Sequence, residues 1–472
     1  MDNYKAALDF VRLVGILCAL VLTLPAPATP EKAKAHRYGP SDPGKLSLPQ
    51  AVGIALNRNY QVTDARLEVR KQEHNRRKVY SSFFPTIEVE YSAEVDRYQN
   101  LTTVEYLSYG QDSRWFERII KDRYFLPDTP HGINPYMYVT LTATLTQPIY
   151  SGGRLVNEYR NAKLGLDSAR LQLEIEKQDL TLEVYQAYYE MILAHKLLYT
   201  ANKSVAALQE TRKQSIAFFN AGIVLEVDVL ATEGQLAKAR VSRRAAAKSI
   251  EKFRAKLNFL LRYPPTAQTD VIVDTKYVPN NYSVPQIFEI AARNRLEIAK
   301  ANVSTEKALA MVKVAQAGML PTAYVEVAGS RMNDDWNTFD REAYNDWTVT
   351  GVLKWTFDMF GNRETVKKRR VEHAQKFVQG RFIVQQVMEE VQLAYIKMKR
   401  AEGNIADERK SLDAYLANYR KNVALYKEQL ATYREVLDAE KEAAQAAADY
   451  FTSLMNYKIY LAELERKMGI LR

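Results

Sequence analysis

Cysteine is almost absent from this chain. The 472 residues hold one, Cys18, so neither a disulfide framework nor a thiolate metal centre is available. Glycine is scarce too: 18 residues is well below the ordinary share, which argues against glycine-rich phosphate loops, collagen-like repeats and turn-dense sandwiches. Long apolar runs are missing, because the longest, Leu13 to Leu24, falls short of the roughly 20 residues that a membrane-spanning helix needs. His36, His74, His131, His195 and His373 lie far apart and in no metal-ligand spacing. Gly152-Gly153 is followed by no lysine-serine or lysine-threonine pair, so it reads as a turn and not as a phosphate loop. No Ser-His-Asp or Cys-His arrangement is visible. The chain therefore reads as a non-enzyme with no catalytic residue, no metal site and no cofactor.

What is present begins with an export signal. Lys5 and Arg12 precede the apolar run, and Ala26-Pro27-Ala28 supplies small residues at the spacing a signal peptidase reads. Residues 1–28 are expected to be a signal peptide and 29–45 an extended segment. Leu17 stands where a lipoprotein signal wants a small residue, which argues against a lipid on Cys18. Lys+Arg exceed Asp+Glu by 66 to 56, a net charge of +10, but an exported chain has no nucleic acid to meet. The 30 tyrosines suit surfaces that are apolar on one side and wet on the other.

The chain repeats itself. Leu48-Pro49-Gln50-Ala51-Val52 returns as Val284-Pro285-Gln286-Ile287-Phe288, and the same offset carries Phe84-Pro85-Thr86 onto Leu320-Pro321-Thr322. A shorter offset carries Glu183-Val184, Ala187-Tyr188 and Val229-Leu230 onto Glu390-Val391, Ala394-Tyr395 and Val436-Leu437. Each copy reads helix, strand, strand, long helix, helix: repeat 1 over 46–263 and repeat 2 over 282–472. Pro264-Pro265, Pro279 and Asn280-Asn281 mark a linker at 264–281.

Four segments alternate as strands, at about 85–96, 136–148, 321–331 and 345–357. Ile87, Val89, Tyr91 and Ala93 oppose Glu88, Glu90, Ser92 and Glu94; Val139, Leu141, Ala143 and Leu145 oppose Thr140, Thr142, Thr144 and Thr146. In repeat 2, Val325 and Val327 oppose Glu326 and Ser330, while Trp347, Val349, Leu353, Trp355 and Phe357 oppose Thr348, Thr350, Lys354 and Thr356. Their length fits a tilted strand crossing a bilayer. A soluble sheet with one buried face alternates in the same way. Aromatics at the strand ends (Phe83, Phe84, Tyr150, Trp355 and Phe360; Tyr98, Tyr136, Tyr344 and Trp347) favour a membrane interface, with Val89, Leu141, Val325 and Val349 facing lipid. Four strands cannot close a barrel. Two, three or four chains would supply eight, twelve or sixteen, and periodicity does not choose among them.

The remainder is helix. Leu166, Leu173, Leu180, Ala187, Ala194, Ala201 and Leu208 recur every seven residues, as do Val384, Val391, Met398, Ile405, Leu412, Tyr419 and Tyr426. Each copy thus ends in a long antiparallel helical hairpin, at about 154–262 and 363–469. Lys367-Lys368-Arg369-Arg370 and Arg76-Arg77-Lys78 read first as solvated helix faces, with anionic lipid headgroups as the alternative.

Several of these segments carry a family resemblance: Ala55-Leu56 with Asn59; Phe84-Pro85 and Leu320-Pro321 entering strands; Gln147-Pro148-Ile149-Tyr150-Ser151-Gly152-Gly153-Arg154 leaving one; and Ala221-Gly222 with Val227-Asp228-Val229-Leu230 at a hairpin tip. In this order and in duplicate, they resemble the TolC family of outer-membrane efflux proteins over nearly the whole chain after residue 28.

The resemblance implies an α+β membrane protein. Three chains would share a twelve-stranded barrel in the outer membrane of a Gram-negative bacterium, continued by a coiled-coil tunnel across the periplasm. It implies an exit duct for a tripartite efflux pump or a type I secretion system, carrying small molecules or polypeptides. The partners would be the homotrimer itself, a periplasmic adaptor, an inner-membrane transporter and outer-membrane lipid. A periplasmic coiled-coil scaffold and a passive porin are the rival readings.

By the same resemblance, Ala221, Gly222, Ile223, Leu430, Ala431 and Thr432 are tip residues for adaptor contact, and Asp228, Tyr426, Arg434, Glu435 and Asp438 form a periplasmic gate. Gln429 stands where a tip glycine is usual. Ala431 stands where a gating arginine is usual, with Arg434 a turn further on as the candidate replacement.

Overall fold

The computed structural model describes residues 44–97, 135–333 and 344–471. The expected signal peptide, His36, His131 and Tyr98 lie outside the described residues. The element order is β1 (Lys45–Leu46), α1 (Leu48–Arg58), α2 (Tyr60–Ser81), β2 (Thr86–Arg97), β3 (Pro135–Tyr150), α3 (Arg154–Asn220), α4 (Glu226–Leu261), β4 (Asp270–Val271), α5 (Val284–Asn294), α6 (Leu296–Ala317), β5 (Thr322–Asn333), β6 (Tyr344–Lys354), α7 (Gly361–Lys427) and α8 (Tyr433–Met468). The helices and first strands of the two halves correspond residue for residue. α1, α2 and β2 match α5, α6 and β5 end for end at the offset that carries Leu48 onto Val284. α3 and α4 match α7 and α8 end for end at the offset that carries Arg154 onto Gly361.

Two compact units result. The first, whose described residues are 79–97, 135–155, 316–333 and 344–362, is one antiparallel sheet in the order β2-β3-β5-β6. Its register keeps the two faces separate across all strands. Val89 lies opposite Ala143, Tyr91 opposite Leu141, Leu145 opposite Val327, and Val327 opposite Val349; on the other face Glu90 pairs with Thr142, Thr142 with Ser330 and Glu326 with Thr350. A one-residue slip would exchange the faces, so the alternation itself pins the register.

Gly152 (φ +63°) and Gly153 (φ +83°) turn the chain from β3 into α3. A Cβ at Gly152 would lie 2.9 Å from Ala317 O and from Leu320 Cβ, so both the backbone angle and the space require glycine.

One strand is shorter than its alternation suggests. The fourth was expected to run to about 357 but ends at Lys354. Trp355 leaves the ladder to donate from Nε1 to Met319 O at 3.2 Å and to stack on Phe357 at 4.6 Å. Asp358 Oδ1 then accepts the Gly361 N–H at 3.0 Å and starts α7.

The second unit, whose described residues are 44–78, 156–315 and 363–471, is helical. α3 and α7 have 67 residues each, so each is about 100 Å long at 1.5 Å per residue. The heptad residues Leu166, Leu180, Ala187, Ala194 and Leu208 are buried, as are Val391, Met398 and Ile405, whereas Val384 is exposed. α1 and α5 open on the same device: Gln50 Oε1 accepts the Ser47 N–H at 2.9 Å, and Gln286 Oε1 accepts the Ser283 N–H at 3.1 Å.

Within the linker, β4 pairs in parallel with β1, Lys45 opposite Asp270. The Tyr188 hydroxyl of α3 reaches both edges of this small sheet, lying 2.9 Å from Ile272 O and 3.2 Å from Leu46 O. No helix among the described residues is long and apolar enough to cross a membrane.

Candidate functional site at the hairpin tips

The two helical hairpins turn with one geometry. After α3, Gly222 adopts φ +73°, its N–H bonds to Phe219 O at 2.9 Å, and Ile223 N–H bonds to Phe218 O at 2.9 Å. After α7, Gln429 adopts φ +60°, its N–H bonds to Tyr426 O at 3.1 Å, and Leu430 N–H bonds to Leu425 O at 2.8 Å. Both are Schellman turns, which satisfy the last helix carbonyls through a left-handed residue. Gly222 and Gln429 are equivalent at the offset that relates α3 to α7, so Gln429 occupies the position that glycine holds in the first tip.

The return helices are capped alike. Asp228 Oδ2 accepts the Leu225 N–H at 3.2 Å. Its counterpart Glu435 accepts the Thr432 N–H at 2.6 Å and the Thr432 hydroxyl at 2.9 Å, while Glu435 N–H bonds back to Thr432 Oγ1 at 3.4 Å. Bonding to Thr432 holds the Glu435 carboxyl below its usual range. Two of the residues expected to gate thus cap helix N-termini in this structure. Arg434 and Asp438 are exposed or half-buried, and among the described residues neither makes an ion pair within 4 Å.

Tyr426 is placed differently. It is 3% exposed, and its hydroxyl lies 3.1 Å from Ser215 Oγ on α3. Ser215 Oγ lies 3.5 Å from Thr232 Oγ1, which donates to Asp228 O at 2.9 Å. The Tyr426 ring meets Phe218 edge-on at 5.3 Å. A polar chain therefore runs from the second hairpin through the first to the backbone of Asp228. Ser215, Thr232 and Phe218 were not among the sequence candidates. Ser215 carried a signal nonetheless, since it continues the seven-residue series after Leu208 with a polar side chain.

At the tips, Ala221, Gly222, Ile223 and Leu430 are exposed, while Ala431 and Thr432 are respectively half-buried and exposed. Leu225, Val227 and Leu230 extend the exposed apolar surface of the first tip. In the sheet, Val89, Leu141, Val325 and Val349 share one face, opposite the one that carries Thr142 and Thr350.

A family model described as outer membrane efflux protein matches residues 51–261 and 288–469, one block in each half. The chain belongs to the outer membrane efflux protein family. Similar solved structures include CusC, at 16% identity with TM-score 0.73 over 89% of this chain and 92% of that one. The outer membrane protein VceC of Vibrio cholerae is 14% identical, with TM-score 0.73 over 89% and 96% of the two chains. The CmeC outer membrane channel of Campylobacter jejuni is 15% identical, with TM-score 0.72 over 89% and 85%. No curated protein sequence matches significantly.

The TolC-like resemblance read from the motifs holds. This chain is an outer-membrane efflux protein, an exit duct with the fold of solved outer-membrane channels. The scaffold and plain porin readings are not favoured.

Proposed function

We propose that three copies of the chain close the duct by pairing the free edge of β2 with the free edge of β6 in the next copy. The open sheet carries this reading, because its order leaves β2 and β6 unpaired on their outer sides, and an open edge is not tolerated in lipid. The exposed apolar residues of α7, Val371, Val378, Phe382, Leu393 and Ile396, support the same homotrimer as a seam for a neighbouring helix. A periplasmic adaptor engages the tips, and an inner-membrane transporter supplies the energy, since the duct itself carries out no catalysis. Tyr426 with Ser215 holds the tip-proximal end closed. Asp438 and Glu435, three copies each, line that end, with Asp228 and Arg434 beside them.

The sheet is tested by substitution on its two faces. An arginine at Val349 costs about 2–4 kcal/mol if that face meets lipid, whereas an arginine at Thr350 is tolerated in the lumen. Heat-resistant trimer recovered from outer membranes reads both variants. Equal yields for the two would overturn the barrel orientation.

A further inference from the structure

The positive charge of this chain is not spread along it. Four twelve-residue segments, 70–81 in α2, 154–165 in α3, 306–317 in α6 and 361–372 in α7, are the helix ends that join β2, β3, β5 and β6. No connector between them and the strands exceeds six residues. They hold fifteen Lys or Arg and five Asp or Glu, a net +10, and the rest of the chain sums to zero, with a second basic stretch at 238–256 of α4 offset by acidic residues elsewhere.

Within the helical unit these four helices stand side by side near this end. Arg170 of α3 lies 3.5 Å from Glu73 of α2, Arg160 of α3 lies 3.6 Å from Glu306 of α6, and the Thr305 hydroxyl of α6 lies 3.4 Å from Lys376 O of α7. Some of the charge is paired locally, as in Lys367–Glu364 and Arg369–Glu372 at 2.7 Å, but such pairs one turn apart on open surface neutralise little. Among the described residues, Arg76, Arg77, Lys368 and Arg370 have no ion-pair partner within 4 Å. The strand ends that these helices join carry exposed Phe84, Tyr150, Trp355 and Phe360, side chains of the kind that settle at a membrane interface.

We propose that this cationic collar is a binding surface for the anionic phospholipid headgroups of the leaflet bordering the helix-joined end of the barrel. The inference rests on the outer-membrane reading and adds the lipid chemistry that the surface selects. The basic stretch of α4 lies on a single helix, whereas the collar joins the ends of four neighbouring helices beside the aromatic strand ends. Charge gathered on four neighbouring helix ends, next to strand ends that carry exposed aromatics, matches a sheet of phosphates at one depth, where each Lys or Arg adds to the attraction and salt screens it.

The test uses the full-length trimer in phosphatidylcholine bilayers containing trace spin-labelled phosphatidylglycerol or spin-labelled phosphatidylcholine. The motionally restricted fraction is read by electron paramagnetic resonance. Phosphatidylglycerol is expected to be preferred about threefold or more, with the preference falling as salt rises. Replacing Arg76, Arg77, Lys368 and Arg370 with glutamine should abolish the preference while trimer and conductance persist. Should the glutamine variant fail to assemble, the charge-keeping set Arg76→Lys, Arg77→Lys and Arg370→Lys should retain the preference. Neutralising Arg240, Arg243 and Arg244 on α4 should also leave it intact. Equal restriction of the two lipids by the unmodified trimer, or an equal loss in the α4 variant, overturns the proposal. Absence of any trimer in the unmodified protein would instead fall on the duct reading.

Discussion

Asn59 and Arg295 hold equivalent carbonyls in the two halves of the chain: Asn59 Nδ2 donates to Leu260 O at 3.2 Å, and Arg295 Nη1 donates to Lys467 O at 3.1 Å. Both residues follow the first helix of their repeat, and both secure the end of its last helix. The duplication kept the contact and changed the side chain. Asn59 makes its bond as a neutral amide, whereas Arg295 brings a buried charge that the second half has had to surround.

That charge sits in a network. Arg295 reaches Glu390 at 2.6 Å and Glu297 at 2.9 Å, Arg466 reaches Asp179 at 2.6 Å and Glu297 at 2.8 Å, and Lys467 reaches Glu390 at 3.0 Å. Burial alone would raise the Glu390 carboxyl, but the hydrogen bond from Lys467 and the charges of Lys467 and Arg295 outweigh it and hold the carboxyl below its usual range. Arg295→Ala should cost about 3–5 kcal/mol, because it leaves buried carboxylates without a partner. Asn59→Ala should cost about 1–2 kcal/mol. Urea midpoints of the detergent-solubilised trimer measure both, and equal losses would mean that the network adds nothing beyond the shared contact.

Glu440 of α8 has no such partner. It is 6% exposed and lies near Ser204 of α3 and Tyr419 of α7. Its counterpart in the first half, Glu233, pairs with Arg212 at 2.6 Å, and the counterpart of Arg212 is Tyr419. Burial therefore raises the Glu440 carboxyl above its ordinary 4.5. A carboxyl raised on folding stabilises the folded state fully below its unfolded value, and that contribution is lost as pH climbs through the folded value. Glu440→Gln should abolish this loss, leaving the variant more stable than the parent at neutral pH. Urea titrations across pH 4 to 8 would sink the idea if parent and variant traced parallel curves.

The tip angles make a separate prediction. Gln429→Gly should stabilise the second hairpin by about 1 kcal/mol, since a side chain at φ +60° carries a left-handed penalty that glycine does not. Arg262→Gly should gain less, because although Arg262 (φ 59°) caps α4 as Gly469 (φ 77°) caps α8, the change also removes its bond to Arg58 O at 3.3 Å and its stacking on Tyr60 at 3.9 Å. The reverse change at Gly469 is more costly: a Cβ there would meet Asn294 O at 2.6 Å. Hydrogen exchange at the amides of 426–430 reads the Gln429 effect locally, and unchanged protection would contradict it.

For the gate, Tyr426→Phe removes the bond to Ser215 and keeps the ring against Phe218, so single-channel conductance should rise. Alanine at both Glu435 and Asp438 should abolish cation selectivity and block by trivalent ions. Because Glu435 also caps α8, Glu435→Gln serves as the control: it removes the charge and keeps an acceptor for Thr432. Selectivity unchanged in the double variant would leave Glu435 as a cap alone.

The long helices and the strands were legible because each signal was local and written twice: seven-residue burial in α3 and two-residue alternation in β2 and β3. The network of Arg295 and Arg466 was not. Its members are scattered along the chain, and charged side chains read singly as surface. The short β1–β4 pairing was hidden because two residues carry no periodicity. The capping roles of Asp228 and Glu435 were within reach, since both stand three residues after an N-cap at equivalent places in the two halves, but acidic residues near a tip also suit an aperture. Trp355 and Phe357 continued the alternation of β6 after the ladder had ended, because side-chain pattern does not report where backbone pairing stops.

The threonines of β3 bear on how fast the duct empties. Thr140, Thr142, Thr144 and Thr146 form an uncharged column on the polar face, flanked in register by Ser92, Glu90 and Glu88 of β2 and by Ser330 and Glu326 of β5. Hydroxyls exchange hydrogen bonds with water readily, so in the proposed lumen a neutral solute passing this column keeps its hydration shell. Rapid transit requires weak and repeated contacts. A wall of this kind, if it lines the proposed lumen, favours brief dwell times over discrimination between cargoes.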